Sequence, residues 1–485
     1  MGSLLNALTM FNLKTTPFPH QIDAIERFSK EDYGALFCEM GVGKSLISLG
    51  IVMNSSAQAI IVAAPNGLHR NWHKVELPKH CHESEYVSYC WEGTPTSQKA
   101  KKQIERFLNH PAEGKKRFFL INVEALRTQN GYSWVSAFIG KAVKEDQDIH
   151  FIIDESTCIK NPKAQQTKAV MKLRDWCDKA WILNGTPITQ GPLDLYSQCK
   201  FLNKNSIPFN SYTAFKSYFA VEEVMTLQNR SFRRIVDYKN IPQLTKLIEP
   251  FSLRLEKKDC LDLPEKTFTQ HMVVMTPEQE RHYAQLKDLC LTMLESGEIM
   301  TADMALVQLL RLHQITTGFF KSDDGTVTPI PNRRIEALMS IAEITSPLVI
   351  FCAYRENVAQ VTESLTKTFG DKSVVTYTGE TKGEDRTNAV QRFQDGDAQF
   401  FVGTSAAAKG LTLHRASTVV YFSNNYSLET RLQSQDRIHR IGQENKCTYI
   451  DLVSENTVDV AILNALNNKK EIAKSVLDDL KHMIQ

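Results

Sequence analysis

Short apolar runs bounded by polar or glycine-bearing positions recur through the first part of the chain, at Ala35–Phe37, Ala59–Ala64, Phe118–Val123, Ile149–Ile153 and Ala180–Leu183. Between them, as in Lys44–Met53, apolar residues return at helical spacing. Strand-like and helical stretches that alternate in this way predict a parallel sheet with helices on both faces. From about Pro187 to Asn332 the pattern reads as mainly helical, broken early by Asn203, Asn205 and Pro208, with Asp259–Pro264 as a hinge. Alternation resumes at Leu348–Cys352, Val374–Tyr377, Phe400–Val402, Val419–Phe422 and Thr448–Val453, which predicts a second sheet of the same kind. Asp459–Gln485 reads as one or two amphipathic helices packing back on the core. The boundaries that follow are 1–200 for a first lobe, 201–331 for helical insertions and hinge, 332–463 for a second lobe and 464–485 for the C-terminal helices.

Three segments carry candidate chemistry. In Glu39-Met40-Gly41-Val42-Gly43-Lys44-Ser45, a strand end is followed by a glycine-bearing turn and then a helix. Such a turn lets backbone N–H groups face phosphates, while Lys44 reaches the β- and γ-phosphates and Ser45 can ligate Mg²⁺. The eight-residue phosphate-loop pattern is incomplete, because Cys38 stands where its first glycine would be. Alone, the segment also describes an ordinary glycine turn. In the second segment, Asp154-Glu155 closes the run Ile149–Ile153, placing two carboxylates at the C-terminal end of a strand, where open α/β sheets bind ligands. Asp154 would hold Mg²⁺ and Glu155 would orient and deprotonate the attacking water; a solvated acidic pair is the bland alternative. The third segment, Gln433 to Gln443, carries Arg437 and Arg440 three apart, expected on one helix face with Gln433 a turn earlier. Arginines supplied from outside a phosphate-loop domain can stabilise charge on the transferred phosphoryl group, so the three segments together describe one nucleotide held by two lobes.

At this point the residues carry a resemblance. Gln21, the Gly-Val-Gly-Lys-Ser core, Asp154–Asn161, Asn184–Pro187 and Arg437–Gln443 occur in the order found in the Swi/Snf-type DNA translocases of helicase superfamily two, and the likeness runs from about Phe18 to about Leu463. It implies an α/β fold of two RecA-like parallel-sheet lobes with a helical insertion between them. Carried over by residue, it implies that Gln21 contacts adenine with Phe18 beside it, and that Met40 to Ser45, Gly410 and Gln433 line the nucleotide. It further implies that Pro65, Asn66 and Trp72 touch the DNA backbone, that Gly185 and Thr186 couple hydrolysis to domain movement, and that Thr404 and Ser405 lie against DNA. The pattern departs from the family at Cys38, Thr157, Asn184 and Ser405, where relatives carry Asp, His, Thr and Arg. Asp-Glu-Ser at 154–156 and Ala407-Ala408-Lys409-Gly410-Leu411-Thr412 resemble the annealing-helicase, fork-remodelling branch.

Composition adds limits. The 485 residues are 42% hydrophobic and 23% charged, enough for large buried cores. No apolar stretch has membrane-spanning length, and Met1–Leu5 lacks a signal-peptide layout, so the expected setting is cytoplasmic or nuclear and not secreted. The ten cysteines include no Cys-x-x-Cys pair and read as reduced, buried side chains, and His80-Cys81-His82 with Cys90 matches no familiar zinc spacing. Fifty-seven basic residues against 55 acidic give a net charge of +2, so any nucleic-acid groove must be built locally. Candidate clusters are Lys99-Lys101-Lys102-Arg106, Lys115-Lys116-Arg117 and Arg230-Arg233-Arg234-Lys239, each of which also fits a solvated face. The expected activity is an ATP- and Mg²⁺-dependent DNA translocase acting on duplex or branched DNA, in branch migration or reannealing during repair, recombination or replication. An RNA or single-strand helicase and a nucleotide-dependent DNA-binding scaffold are the alternatives, and a monomer fits this reading.

Overall fold

A computed structural model of the chain describes residues 12–481 except 112, 228–229, 296–301, 323, 382 and 409. Lys409 and the Met1–Leu5 stretch therefore lie outside the described residues. The chain divides into two compact units. One takes residues up to Glu223, Ile235–Leu261 and the chain from Glu471 on, and the other Val224–Arg234 and Asp262–Lys470.

The first unit is built on seven strands: β1 (Tyr33–Cys38), β2 (Ala59–Ala64), β3 (Tyr86–Cys90), β4 (Lys116–Asn122), β5 (Ile149–Asp154), β6 (Lys179–Leu183) and, after a hairpin of β7 (Ala220–Leu227) and β8 (Arg230–Tyr238), β9 (Ser252–Leu255). Their order is β3-β4-β2-β5-β6-β1-β9, with every neighbouring pair parallel. All six residues of β2 are buried because the sheet is covered twice. Ala59, Ile61 and Ala63 enter one core and Ile60 and Val62 the other, so the period-two alternation of a strand distributes a continuous apolar run to both faces.

The second unit repeats the plan with β10 (Lys266–Met272), β13 (Leu348–Phe351), β14 (Val374–Tyr377), β15 (Phe400–Gly403), β16 (Thr418–Tyr421) and β17 (Cys447–Val453), and adds the small antiparallel pair β11 (Phe319–Lys321) and β12 (Val327–Pro329). Its order is β10-β17-β16-β13-β15-β14, again all parallel. Leu348 and Ile350 pack on one side of β13, Val349 and Phe351 on the other.

The expectation for 201–331 needs correction. That segment is not simply helical: it contributes β9 beside β1, β10 beside β17, and the β7–β8 hairpin. β9 and β10 are edge strands, and six of the seven residues of β10 are exposed, so neither shows the long apolar run that marks a central strand. The chain passes between the units four times, and one of these changes falls between Leu261 and Asp262. The tail forms a single helix, Val458–Lys481, whose Ala473 enters the core of the first unit.

Candidate nucleotide and nucleic-acid site

β1 ends at Cys38, and the chain turns through Glu39–Gly43 into the helix Lys44–Met53. Gly41 and Gly43 have φ of +89° and +98°, which side-chain-bearing residues adopt only at a cost. Gly43 also has no room for a side chain, since a β-carbon there would lie 2.1 Å from Nε2 of Gln21. Gln21, on the helix Pro19–Phe28, is buried and holds the turn: its Nε2 donates to the Val42 carbonyl at 2.8 Å and its Oε1 accepts from the Phe18 N–H at 2.9 Å. Both ends of the amide expected on adenine are thus engaged by the protein. Lys44 Nζ donates to the carbonyls of Cys38 (2.9 Å) and Glu39 (3.4 Å). Burial pushes the Cys38 thiol up to about 12, so the residue at the first-glycine position is an unreactive core group.

The neighbours of β1 bring in further groups. Beyond β6, the position a β-carbon on Gly185 would take is 3.6 Å from Lys44 Nζ and 3.5 Å from the Met40 backbone nitrogen, so the loop after β6 lies in van der Waals reach of the turn after β1. Within β9, Arg254 donates through Nη1 to the carbonyls of Phe37 (3.1 Å) and Gly185 (3.2 Å), and beyond the strand the Lys257 N–H donates to Glu39 Oε2 at 2.9 Å.

Asp154 ends β5, in register with Leu183 of β6. Its Oδ2 accepts from the Trp72 indole Nε1–H at 2.9 Å, and its Oδ1 from the Glu155 N–H at 2.9 Å. Burial raises the Asp154 carboxyl above its ordinary value, against the pull of the Trp72 hydrogen bond and the Lys44 charge. Glu155 is buried with φ +51°, a left-handed backbone uncommon for a side-chain-bearing residue. Near Asp154 and Ser45 lies the Glu76 carboxylate. Burial pushes the Glu76 carboxyl up, but His80, Lys79 and Ser45 outweigh it and hold it below the usual carboxylate range.

The loops after β5 and β6 are laced together. Asn184 Nδ2 donates to Ser156 Oγ and Thr157 Oγ1, both at 3.4 Å, and Asn184 Oδ1 accepts from the Thr186 N–H at 2.7 Å. Thr157 and Asn184, two of the positions that depart from the family pattern, are thus partners of each other.

In the second unit the expected helix placement of the arginines is corrected. The helix Leu428–Gln435 carries Gln433 but closes at Asp436, and Arg437 and Arg440 lie in the turns that follow. Tertiary bonds align them instead of helical periodicity: each donates through Nη1 to the Leu411 carbonyl at 2.9 Å, and Arg440 also reaches Thr412 Oγ1 at 2.8 Å. Arg437 Nε adds a bond to the Gln433 carbonyl. Gly410, with φ +73°, immediately precedes this anchor. Thr404 is buried at the end of β15, and Ser405 beside it is exposed.

Comparison with known proteins settles the lineage. The model of the SNF2-related domain matches residues 20–318, and the helicase conserved C-terminal domain matches 333–442. The chain belongs to the SNF2 family. It is 27% identical over 337 residues to a putative ATP-dependent helicase/translocase of Bacillus subtilis, covering 67% of this chain and 35% of that protein. An uncharacterized ATP-dependent helicase of Mycoplasma genitalium is 23% identical over 482 residues, covering 94% of this chain and 43% of that one. Among solved structures, a Sulfolobus solfataricus SWI2/SNF2 ATPase core in complex with dsDNA is similar at 23% identity and a TM-score of 0.42, covering 96% and 94% of the two chains. The chain spans less than half the length of these two curated relatives.

Within this SNF2-family chain, Lys44 and Ser45 open the helix after β1, Asp154 closes β5, and Glu155, Gly185 and Thr186 follow β5 and β6, all at the C-terminal edge of the first sheet. Of the residues expected on DNA, Asn66 is exposed and Pro65 partly so, but Trp72 is 1% exposed, and its indole is bound to Asp154. Trp72 therefore serves the carboxylate from inside the fold, and its expected backbone contact is corrected. The basic cluster 115–117 also turns inward: Lys116 donates to the carbonyls of Ser55 and Ala57, and buried Arg117 pairs with Glu145. Lys99, Lys101, Lys102 and Arg106 stay exposed on the helix Gln98–Leu108, as do Arg233, Arg234 and Lys239. Sequence reasoning missed Arg254 and Glu76, each of which stands outside any recognisable pattern and becomes legible only through its neighbours. Among the described residues no group of three or more His, Cys, Asp or Glu side chains could hold a metal, and no helix is long and apolar enough to cross a membrane.

Proposed function

We propose that the chain is an ATP-dependent translocase on double-stranded DNA. The observation that carries this reading is the convergence at one sheet edge of Lys44, Ser45, Asp154 and Glu155 around a turn whose left-handed backbone favours glycine. The residues fit a magnesium nucleotide: Ser45 and Asp154 offer the hard oxygen donors that Mg²⁺ takes, and the glycine turn leaves backbone N–H groups for phosphate. When bound, the ion would offset charge on the phosphates. Lys44 would exchange its carbonyl partners for phosphate oxygens, and Glu155 would orient and deprotonate water. Arg437 and Arg440 would leave the Leu411 carbonyl to stabilise the charge that develops on the γ-phosphoryl oxygens.

Work on DNA would follow from closing and reopening of the two units with each turnover. DNA affinity would be strongly salt-dependent and weakly sequence-dependent, because its contacts are to phosphates. A preference for forks or four-way junctions is the finer part of the proposal, supported by the Asp-Glu-Ser and Ala-Ala-Lys-Gly-Leu-Thr segments. The test is ATPase activity across single-stranded, duplex, forked and junction DNA and RNA, with Lys44→Ala and Arg440→Ala as controls. Duplex stimulation lost in both variants supports the reading. Near-normal activity in either variant overturns the assigned site, stimulation by RNA alone overturns the substrate, and equal stimulation by all DNAs removes the junction preference.

A further inference from the structure

After β2 and its exposed loop, the chain makes a single wide turn, Trp72–Glu76, before the short helical turn Leu77–His80. Such widened turns recur at functional sites because they re-aim side chains along a helix. Here one end of the turn bonds, and the other end lies near, a side chain assigned to the magnesium ion. Trp72 donates its indole N–H to Asp154 Oδ2, and the Glu76 carboxylate lies near the Ser45 hydroxyl. Each is held in turn. Trp72 is buried in the core with Leu77. Glu76 Oε1 accepts from Asn71 Nδ2 at 3.0 Å, and its Oε2 lies 3.5 Å from His80 Nε2, while His80 Nδ1 meets Thr15 Oγ1 at 2.8 Å.

The chemistry of these contacts is that of ligand positioning. A serine hydroxyl has one proton and two lone pairs, so a nearby carboxylate that draws the proton turns the lone pairs toward a cation and makes the oxygen a better donor. An N–H on Oδ2 of Asp154 fixes the carboxylate plane and leaves the remaining lone pairs for metal. We propose that Trp72 and Glu76 are positioning residues for the metal centre, aligning Asp154 and Ser45 for Mg²⁺ from a single turn of chain. The inference rests on the reading of Asp154 and Ser45 as metal ligands under the proposed function.

The test measures binding of a fluorescent ADP analogue to the full chain, in EDTA and across a Mg²⁺ titration, for wild type, Trp72→Phe, Glu76→Gln and Glu76→Asp. Partners of metal ligands typically change metal affinity about 10- to 100-fold. The expected result is a Mg²⁺ half-saturation raised by about 10-fold or more in Trp72→Phe and Glu76→Gln, with affinity in EDTA within about 2-fold of wild type and partial recovery in Glu76→Asp. Unchanged half-saturation in both main variants overturns the proposal. So does a parallel loss of affinity with and without Mg²⁺, which would mark a packing role. Wild-type protein that binds no nucleotide, or binds it without regard to Mg²⁺, overturns the underlying site reading instead. Glu76→Gln is nearly isosteric and partly exposed, so it reports even if Trp72→Phe folds poorly.

Discussion

Gln21 and Gly43 are mutually dependent: the Gln21 amide lies where a β-carbon on Gly43 would be, 2.1 Å from it, and donates to the adjoining Val42 carbonyl. Gly43 is in addition left-handed, a conformation that costs a side-chain-bearing residue about 1–2 kcal/mol. Gly43→Ala is therefore expected to weaken nucleotide binding by about 10-fold or more, the combined effect of strain and a displaced Gln21. Gln21→Ala should weaken it less, because it removes the clasp without adding strain. Titration with the fluorescent ADP analogue, alongside circular dichroism to show an unchanged fold, checks both.

Glu155→Gln should separate binding from chemistry. The amide keeps the shape and the left-handed backbone but cannot accept a proton, so single-turnover hydrolysis is expected to fall by about 10²- to 10⁴-fold with nucleotide affinity nearly unchanged. A loss of binding comparable to the loss of rate would show that Glu155 shapes the site rather than acting as the base.

Arg254 bonds the last turn of β1 to the loop after β6. Arg254→Ala leaves the Phe37 and Gly185 carbonyls without this donor, a change expected to cost about 1–3 kcal/mol. Because Gly185 lies against Lys44, kcat should fall as well. Chemical denaturation and steady-state ATPase assays on the same preparation read both effects, and a stability loss with unaltered turnover would confine Arg254 to a structural role.

Arg437 and Arg440 share the Leu411 carbonyl but differ in burial, Arg437 being 5% exposed and held additionally by Gln433. Arg440→Ala is expected to abolish most turnover with a smaller fall in melting temperature than Arg437→Ala, because Arg440 is only partly buried. Arg437→Ala should lower both. Equal melting temperatures in the two variants would contradict this division.

His150 lies buried in the middle of β5, and burial lowers its pKa to about 3, with Lys179 and Lys116 pushing the same way. A histidine depressed in the folded state stabilises the fold above its unfolded pKa of about 6.5, and that contribution is lost as pH falls toward about 3. Between pH 6 and pH 4 this one proton should cost about 2–3 kcal/mol. His150→Val cannot take up the proton, so its denaturation midpoint should fall less steeply over that interval, whatever its stability at pH 7. Parallel pH profiles for wild type and variant would rule His150 out as a source of acid sensitivity.

Much of the plan was readable from residue order because it depends on local rules. Continuous apolar runs marked the central strands of both sheets, since doubly covered strands need apolar residues on each side, and the Gly-Val-Gly-Lys-Ser turn announced itself because only glycine accepts its backbone. The lineage was legible for the same reason, in segments whose chemistry tolerates few residue types. Three-dimensional packing alone decided the rest. Edge strands β9 and β10 lack an apolar signature because β9 is four residues long and the side chains of β10 are nearly all exposed, so their membership depends on which partner they find. Arg437 and Arg440 were legible as a pair, but the Leu411 carbonyl, and not a shared helix, brings them together. Trp72 and Glu76 sit more than 75 positions before Asp154, and their tie to its carboxylate and to Ser45 exists only where the fold carries the chain after β2 alongside the end of β5. Spacing along a chain encodes periodicity and turn chemistry; contacts between distant segments are chosen by packing, which no single stretch of sequence contains.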